Sequence, residues 1–133
     1  MIIAIDFDST LCDPTNIQAG YRMGRPTTGA IMATHRLAEE GHTIIVFTAR
    51  EVNRPEVKKA VQDWCDYFKI PIHGITNVKQ PYFDLMIDNR GIHFGGNWSE
   101  VLSQIKEFEM GIKNHPNKEV PFLTDISRPL NEQ

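Results

Sequence analysis

The feature that most constrains this chain is a short apolar segment at its start that ends in two closely spaced acids. Residues 1–5 read MIIAI, and they are followed by Asp6 and, two positions later, by Asp8. In extended backbone, residues i and i+2 point the same way, so both carboxylates face one small volume. Like charges this close raise each other's pKa unless a cation lies between them or one carries a proton. The segment predicts either a metal-assisted phosphoryl site at a strand end or, more simply, two acids in a solvated turn.

Composition limits the classes of protein that this chain can be. Its 133 residues, 41% hydrophobic and 23% charged, are expected to form one globular domain with a single core. The net charge of -3 argues against general attraction to nucleic acid, although it does not exclude a local basic pocket. No apolar run approaches the roughly 20 residues of a membrane span, and the start lacks the basic region of a signal peptide. We therefore expect a cytoplasmic protein with no membrane association, whose Cys12 and Cys65 are buried free thiols.

Hydrophobic periodicity predicts that strands and helices alternate along the chain. A continuous apolar run at residues 43–47 is typical of a central parallel strand, and residues 70–76 and 84–88 are weaker strand candidates. Apolar residues at helical spacing predict three helices, over residues 28–40, 54–69 and 98–112. Candidate caps and helix ends are Thr27 or Thr28 and Gly41 for the first helix, Pro55 for the second, and Asn97 or Ser99 for the third.

This alternation predicts an α/β fold with a three-layer, doubly wound and mostly parallel sheet. Residues 1–112 are expected to form the core, and residues 113–133, with three prolines and little periodicity, an irregular tail. One connection fits this fold poorly, because residues 77–83 are fewer than the dozen or so that a parallel crossover usually needs. Either the third strand is an edge fragment, or its return path is extended and contains no helix.

Polar side chains follow three of the predicted strands, and in a parallel sheet they would collect at its carboxyl edge. The segments are DFDST at residues 6–10, IIVFTAR at 44–50, and DLMIDN at 84–89, with Lys79 before the last. This order resembles the four motifs of the haloacid dehalogenase-like (HAD) superfamily of phosphatases. The resemblance covers residue 1 to about residue 90. Each motif is weak alone, and their joint order is specific.

The resemblance implies a role for each matching residue. Asp6 would be the nucleophile that forms an aspartyl phosphate, and Asp8 would protonate the leaving alcohol and then deprotonate water. A Mg²⁺ cofactor would be held by Asp6, the backbone carbonyl of Asp8, and Asp88. Thr48 and Lys79 would bind the oxygens of the transferring phosphoryl group.

Several positions leave alternatives open. Three other cations compete with Lys79 for its role: Lys58, Lys59 and Arg50. We predict Arg50, Ser9 and Asn89 as substrate contacts. Ser9 stands where many members of the superfamily have glycine, so the turn after Asp6 is expected to be altered. Asn89 stands where many have a second acid, which is expected to weaken metal binding.

The spacing of the motifs leaves no room for the cap domain that many members insert. The chain therefore resembles the capless branch, whose open sites often accept large substrates. We expect an open site unless the loop at residues 13–28, the tail or a second chain covers it. Phe122, Leu123 and Ile126 would anchor the tail to the body of the protein or to a second subunit, so a homo-oligomer is compatible with the sequence.

These expectations together predict a Mg²⁺-dependent phosphomonoester hydrolase. Its partner would be a phosphorylated substrate of unknown class: a sugar phosphate, a nucleotide, a nucleic-acid end or a phosphoprotein. One alternative is a catalytically impaired HAD-like binding module, against which the intact Asp6 and Asp8 argue. Another is a phospho-accepting receiver-type domain. The chain order argues against it, since Thr48 and Lys79 both precede Asp88, whereas a receiver domain has its lysine last.

Overall fold

The structure is a computed structural model that describes residues 1–13 and 23–112. The loop expected at residues 13–28 is thus described only at its two ends, and the predicted tail lies outside the described residues. The elements in chain order are β1 (Ile2–Asp6), α1 (Ala30–Glu39), β2 (Thr43–Phe47), α2 (Pro55–Tyr67), β3 (Gly74–Thr76), β4 (Leu85–Ile87) and α3 (Trp98–Ile112).

The four strands form one parallel sheet in the order β3-β2-β1-β4. Strand β1 lies between β2 and β4, with Ile5 opposite both Val46 and Ile87. Because every strand runs in the same direction, the residues that follow β1, β2 and β4 leave the sheet at one edge. The sheet confirms the predicted parallel α/β fold.

The core lies between one face of the sheet and the two helices α1 and α2. On β1 and β2, Ile3, Ile5, Ile44 and Val46 share this face, since they are partners in the parallel register, and each is at most 4% exposed. They belong to one buried cluster with Val61, Trp64 and Cys65 of α2 and Ala30 of α1. Each large apolar side chain in it contributes about 1.5–3 kcal/mol relative to an exposed position.

Both cysteines are buried free thiols, as predicted. Burial raises the pKa of Cys65 to about 12. The thiolate of Cys65 is therefore inaccessible near neutral pH, which assigns this residue to packing and not to nucleophilic chemistry.

Helix α1 begins later than predicted, and its N-cap is Gly29 with a φ of 87°. Neither Thr27 nor Thr28 caps it, so that prediction was wrong. The hydroxyl of Thr27 instead donates to the backbone carbonyl of Thr10 at 2.5 Å. The long-range contact with the loop after β1 therefore replaced the local cap. Gly41 does end this helix region, in a left-handed conformation with a φ of 89°.

The other helix boundaries follow the sequence closely. Helix α2 begins with Pro55 in its first turn, as predicted. Of the two N-cap candidates for α3, Asn97 and Ser99, the structure shows Asn97. Its side-chain oxygen accepts a hydrogen bond from the backbone N–H of Ser99 at 2.9 Å. The carbonyl of Asn97 also accepts the N–H of Val101 at 3.4 Å, the first hydrogen bond of the helix.

Both explanations that the sequence offered for the short connection between β3 and β4 hold: β3 is an edge fragment, and the connection is extended without a helix. Strand β3 has only three residues and lies at one edge of the sheet, while β4 lies at the other. An extended segment as long as residues 77–83 reaches roughly 20 Å, and crossing three strand spacings takes only about 14 Å. The connection contains no helix and runs past β2, where the rings of Phe83 and Phe47 are 6.5 Å apart.

The chain divides into two compact units, residues 1–91 and 92–133. The first contains the sheet with α1 and α2. The second, described as far as residue 112, contains α3, and its Phe94 and Trp98 rings lie 4.8 Å apart. The expectation of one core over residues 1–112 stays a prediction. None of the described helices has the length and apolarity needed to cross a membrane.

The ends of the loop after β1 are held together at its base by backbone contacts. The N–H of Asp13 donates to the carbonyl of Arg25 at 2.7 Å, and the indole of Trp64 donates to the carbonyl of Gly24 at 2.8 Å. A Cβ atom on Gly24 would overlap the carbonyl oxygen of Asp13. Only glycine therefore fits at this position without movement of the backbone.

We expect Gly24→Ala to lower the free energy of unfolding by about 2 kcal/mol, since the new methyl group displaces backbone atoms. Denaturant unfolding followed by circular dichroism measures the change. Gly111→Ala is the matched control. It lies in α3 with open space around its Cβ position, so it should be neutral or stabilising by up to about 1 kcal/mol. Equal stability of the two variants would contradict the packing argument.

Candidate active site

The chain turns sharply after β1, and buried side chains hold the turn in place. The carbonyl of Phe7 accepts the N–H groups of Leu11 and Cys12 at 3.0 and 2.8 Å. All three of these side chains are buried. Inside the turn Ser9 has a φ of 67°, a left-handed conformation that favours glycine. Local apolar anchoring therefore presents Asp6, Asp8 and Ser9 at the carboxyl edge of the sheet.

Asp6 is the last residue of β1 and lies close to Asp88, which follows β4. Since Ile5 and Ile87 are partners, the two acids leave neighbouring parallel strands at the same level. Burial raises the pKa of Asp6, the charge of Asp88 raises it further, and Asp8 adds a smaller increase. Hydrogen bonds from the hydroxyl of Thr10, at 3.4 Å, and from the backbone of Phe7 act in the opposite direction. The net result is a carboxylate whose charge is poorly compensated by the described residues.

Asp8 is compensated by a cation that the sequence did not reveal as its partner. Arg50 donates to both carboxylate oxygens, from Nε at 2.9 Å and from a terminal nitrogen at 2.7 Å. This pairing raises the pKa of the guanidinium. The side chains of Asp8 and Arg50 are 41% and 21% exposed. A signal was present in the chain: the two residues lie two and three positions beyond the paired ends of β1 and β2.

Thr48 lies directly after β2 and is 1% exposed. Its N–H donates to the carbonyl of Thr76 at 3.0 Å, which extends the pairing of β2 with β3. Its hydroxyl oxygen accepts the N–H of Arg50 at 3.1 Å. Within residues 1–13 and 23–112 the hydroxyl donates to no acceptor.

The remaining predicted residues are more exposed. Lys79 lies in the connection between β3 and β4, and its ammonium has no ion pair among the described residues. Lys59 binds Asp63 one turn along α2 at 2.7 Å, which occupies it, while Lys58 is exposed on the same helix. Asn89 is exposed beside Asp88, whose own carboxylate accepts the N–H of Arg90 at 2.6 Å.

The donor set can be compared with what Mg²⁺ requires. The described part of the chain contains no group of three His, Cys, Asp or Glu side chains arranged to hold a metal. The expected set is smaller: the carboxylates of Asp6 and Asp88 and the backbone carbonyl of Asp8. All are oxygen donors, which Mg²⁺ prefers, with water completing its shell. Burial is the largest cause of the raised pKa of Asp6, and the charges of Asp88 and Asp8 add to it. A divalent cation relieves that repulsion between the acids, so these residues fit the ion.

Comparison with known proteins supports the fold and gives no information on the chemistry of the site. No protein-family model matches this sequence, and no curated protein does. A solved structure from Bacteroides thetaiotaomicron, described as a conserved protein coded by a locus of that organism, is similar to this chain with a TM-score of 0.56. The two are 22% identical, over 88% of this chain and 98% of the other. Identity this low shows a shared fold only.

Proposed function

We propose that this protein is a Mg²⁺-dependent phosphomonoester hydrolase of the HAD type, without a cap domain, in which Asp6 accepts the phosphoryl group. The observation that carries the proposal is the placement of Asp6 beside Asp88 at the ends of neighbouring parallel strands, where burial and then the charge of Asp88 raise the pKa of Asp6. Clustered carboxylates of this kind are costly unless they serve a bound cation. The motif order and the parallel α/β sheet support the same function.

The first half of the reaction transfers the phosphoryl group to the protein. A carboxylate oxygen of Asp6 attacks phosphorus, and the bond from phosphorus to the substrate oxygen breaks. The leaving oxygen takes a proton from Asp8. When bound, Mg²⁺ would supply positive charge that offsets the acids and the phosphate.

The second half releases phosphate and restores the enzyme. A water molecule attacks phosphorus and gives a proton to Asp8, and the bond from phosphorus to Asp6 breaks, with the electron pair returning to the carboxylate. The buried Thr48 hydroxyl donates to a phosphoryl oxygen. Lys79 is assigned to the same group as a point charge on the basis of the motif order. Lys58 is the alternative, since Lys59 is paired with Asp63 and Arg50 with Asp8.

The strand order supports this proposal over a receiver-type domain. In the flavodoxin-like order used by receiver domains, the first strand lies between the second and the third. Here β1 lies between β2 and β4. The strand that follows Lys79 is therefore the direct neighbour of the nucleophile strand, which brings Asp88 to Asp6.

We expect Mg²⁺-dependent hydrolysis of an aryl phosphate such as p-nitrophenyl phosphate, and its loss in Asp6→Asn by at least about a thousandfold, because the amide cannot form the acyl phosphate. Release of the phenol measures the rate. Asp63→Asn, which removes an exposed acid of α2, is the matched control and should keep full activity. Equal turnover in Asp6→Asn and the wild-type protein would reject the nucleophile assignment.

We also expect Mg²⁺ to raise the melting temperature of the protein in proportion to the logarithm of its concentration above the dissociation constant, since the ion binds only the folded site. Differential scanning fluorimetry in EDTA and in millimolar Mg²⁺, at constant ionic strength, measures the shift. Asp88→Asn should reduce it. A melting temperature that is the same in EDTA and in millimolar Mg²⁺ would contradict the metal site.

Without metal, we expect Asp6→Asn to be more stable than the wild-type protein at pH 7. The folded pKa of Asp6 is raised, so the wild type loses stability as the pH rises from the ordinary carboxyl value through the folded one. Asparagine avoids that loss, and the difference between the two proteins should shrink as the pH falls toward 4. Urea unfolding in EDTA at both pH values measures it. Asp8→Asn is the contrast: it removes the partner of Arg50 and should lower stability by up to about 1 kcal/mol.

A further inference from the structure

We propose that Arg50 is a positioning residue for Asp8, and that the hydrolysis of the aspartyl phosphate depends on it. This inference rests on the proposed function. It assigns Arg50 a role that the sequence did not indicate, because the sequence predicted a substrate contact.

The geometry of the pair defines where both oxygens of Asp8 lie. A guanidinium presents its N–H groups in a rigid planar fork, and Arg50 uses two of its nitrogens on the two carboxylate oxygens at 2.9 and 2.7 Å. An ionised carboxylate has about four acceptor sites, so this pairing leaves others for a proton of the substrate or of water. The guanidinium therefore orients the carboxylate of Asp8 and leaves some of its acceptor sites free for a proton.

Arg50 is itself held from two directions. Its backbone N–H donates to the Thr48 hydroxyl at 3.1 Å, and its guanidinium carbon lies 5.4 Å from the centre of the Phe7 ring. Phe7 is fully buried and packs edge-on against Trp64 with ring centres 4.9 Å apart. Asp8 is thus connected to the core between the sheet and α2 through Arg50, which binds Asp8 and packs over the ring of Phe7.

Asp8 needs such a holder. Its side chain is 41% exposed, the left-handed residue Ser9 comes directly after it, and the negative charge of Asp6 is nearby. Without Arg50, repulsion from Asp6 and hydration would both favour rotation of the carboxylate toward solvent. A general base that is displaced by an ångström loses much of its effect.

The two halves of the reaction separate this role from others. A nitrophenolate leaving group departs without a proton, so the first half with this aryl phosphate does not need Asp8, and any proton on Asp8 passes to solvent before the second half begins. The second half always does, because water must lose a proton as its oxygen bonds to phosphorus and the bond to Asp6 breaks. With an alkyl phosphate, both halves need Asp8.

The test is rapid-mixing kinetics of Arg50→Gln in millimolar Mg²⁺ with an aryl and an alkyl phosphate. We expect a burst of phenol stoichiometric with enzyme, and then steady turnover about 100-fold below the wild type, the lower end of general-base effects. The alkyl phosphate should show no burst and a KM that changes little. For the aryl phosphate kcat and KM should fall together, because kcat/KM reports the first half of the reaction, which does not need Asp8. Arg50→Lys should recover part of the steady rate. Arg54→Gln, which removes an exposed arginine paired with Glu51 and Glu56, is the matched control and should show neither effect.

Other outcomes are equally decisive. A raised KM with an unchanged kcat would make Arg50 a substrate contact and overturn the proposal. Equal losses on both substrates without a burst, together with a lowered melting temperature, would assign Arg50 to structure alone. Wild-type kinetics in Arg50→Gln would also overturn it. If the wild-type protein itself hydrolyses neither substrate, the proposed function fails, and this inference fails with it.

Discussion

The parallel alignment of β1 between β2 and β4 is the constraint on which the rest of the site depends. Neighbouring strands lie about 4.8 Å apart, so residues that end three adjacent strands at one level are necessarily close. The backbone ladder brings Asp6, Thr48 and Asp88 together although they are distant in the chain. No side-chain interaction is needed for this proximity, and the repulsion between the two acids acts against it.

The protein treats the two acids of its first motif differently. Asp8 is paired with Arg50, whereas Asp6 lies beside a second acid, Asp88. The first arrangement stabilises the fold modestly and fixes a geometry. The second stores an unfavourable interaction that a divalent cation would relieve, which is the expected relation between a functional site and stability. Arg50 contacts both Asp8, through its guanidinium, and the hydroxyl of Thr48, through its backbone N–H.

Disagreements between sequence and structure occur where a distant contact replaced a local preference. Threonine is a common N-cap residue, but the hydroxyl of Thr27 donates to the carbonyl of Thr10 in the loop after β1. Gly29 is the N-cap of α1 instead. Residues 70–76 were predicted as a strand, but the strand β3 at the edge of the sheet comprises only the last three of them. The prediction of Arg50 as a substrate contact stays a prediction, and the structure shows in addition that its guanidinium binds Asp8, 42 positions away in the chain.

The sequence by itself determined the alternation of strands and helices, the parallel sheet, the buried cysteines and the candidate acids, since periodicity and spacing are local properties that burial converts directly into structure. Only the tertiary structure decided the strand order, which makes β4 rather than β3 the neighbour of β1. It alone showed that Asp8 is paired with a cation whereas Asp6 has none among residues 1–13 and 23–112, because charge compensation depends on distances between residues that the chain order leaves undefined. The physical reason is the same in both cases: pairing across the sheet is non-local, and its energy cannot be read from any one segment.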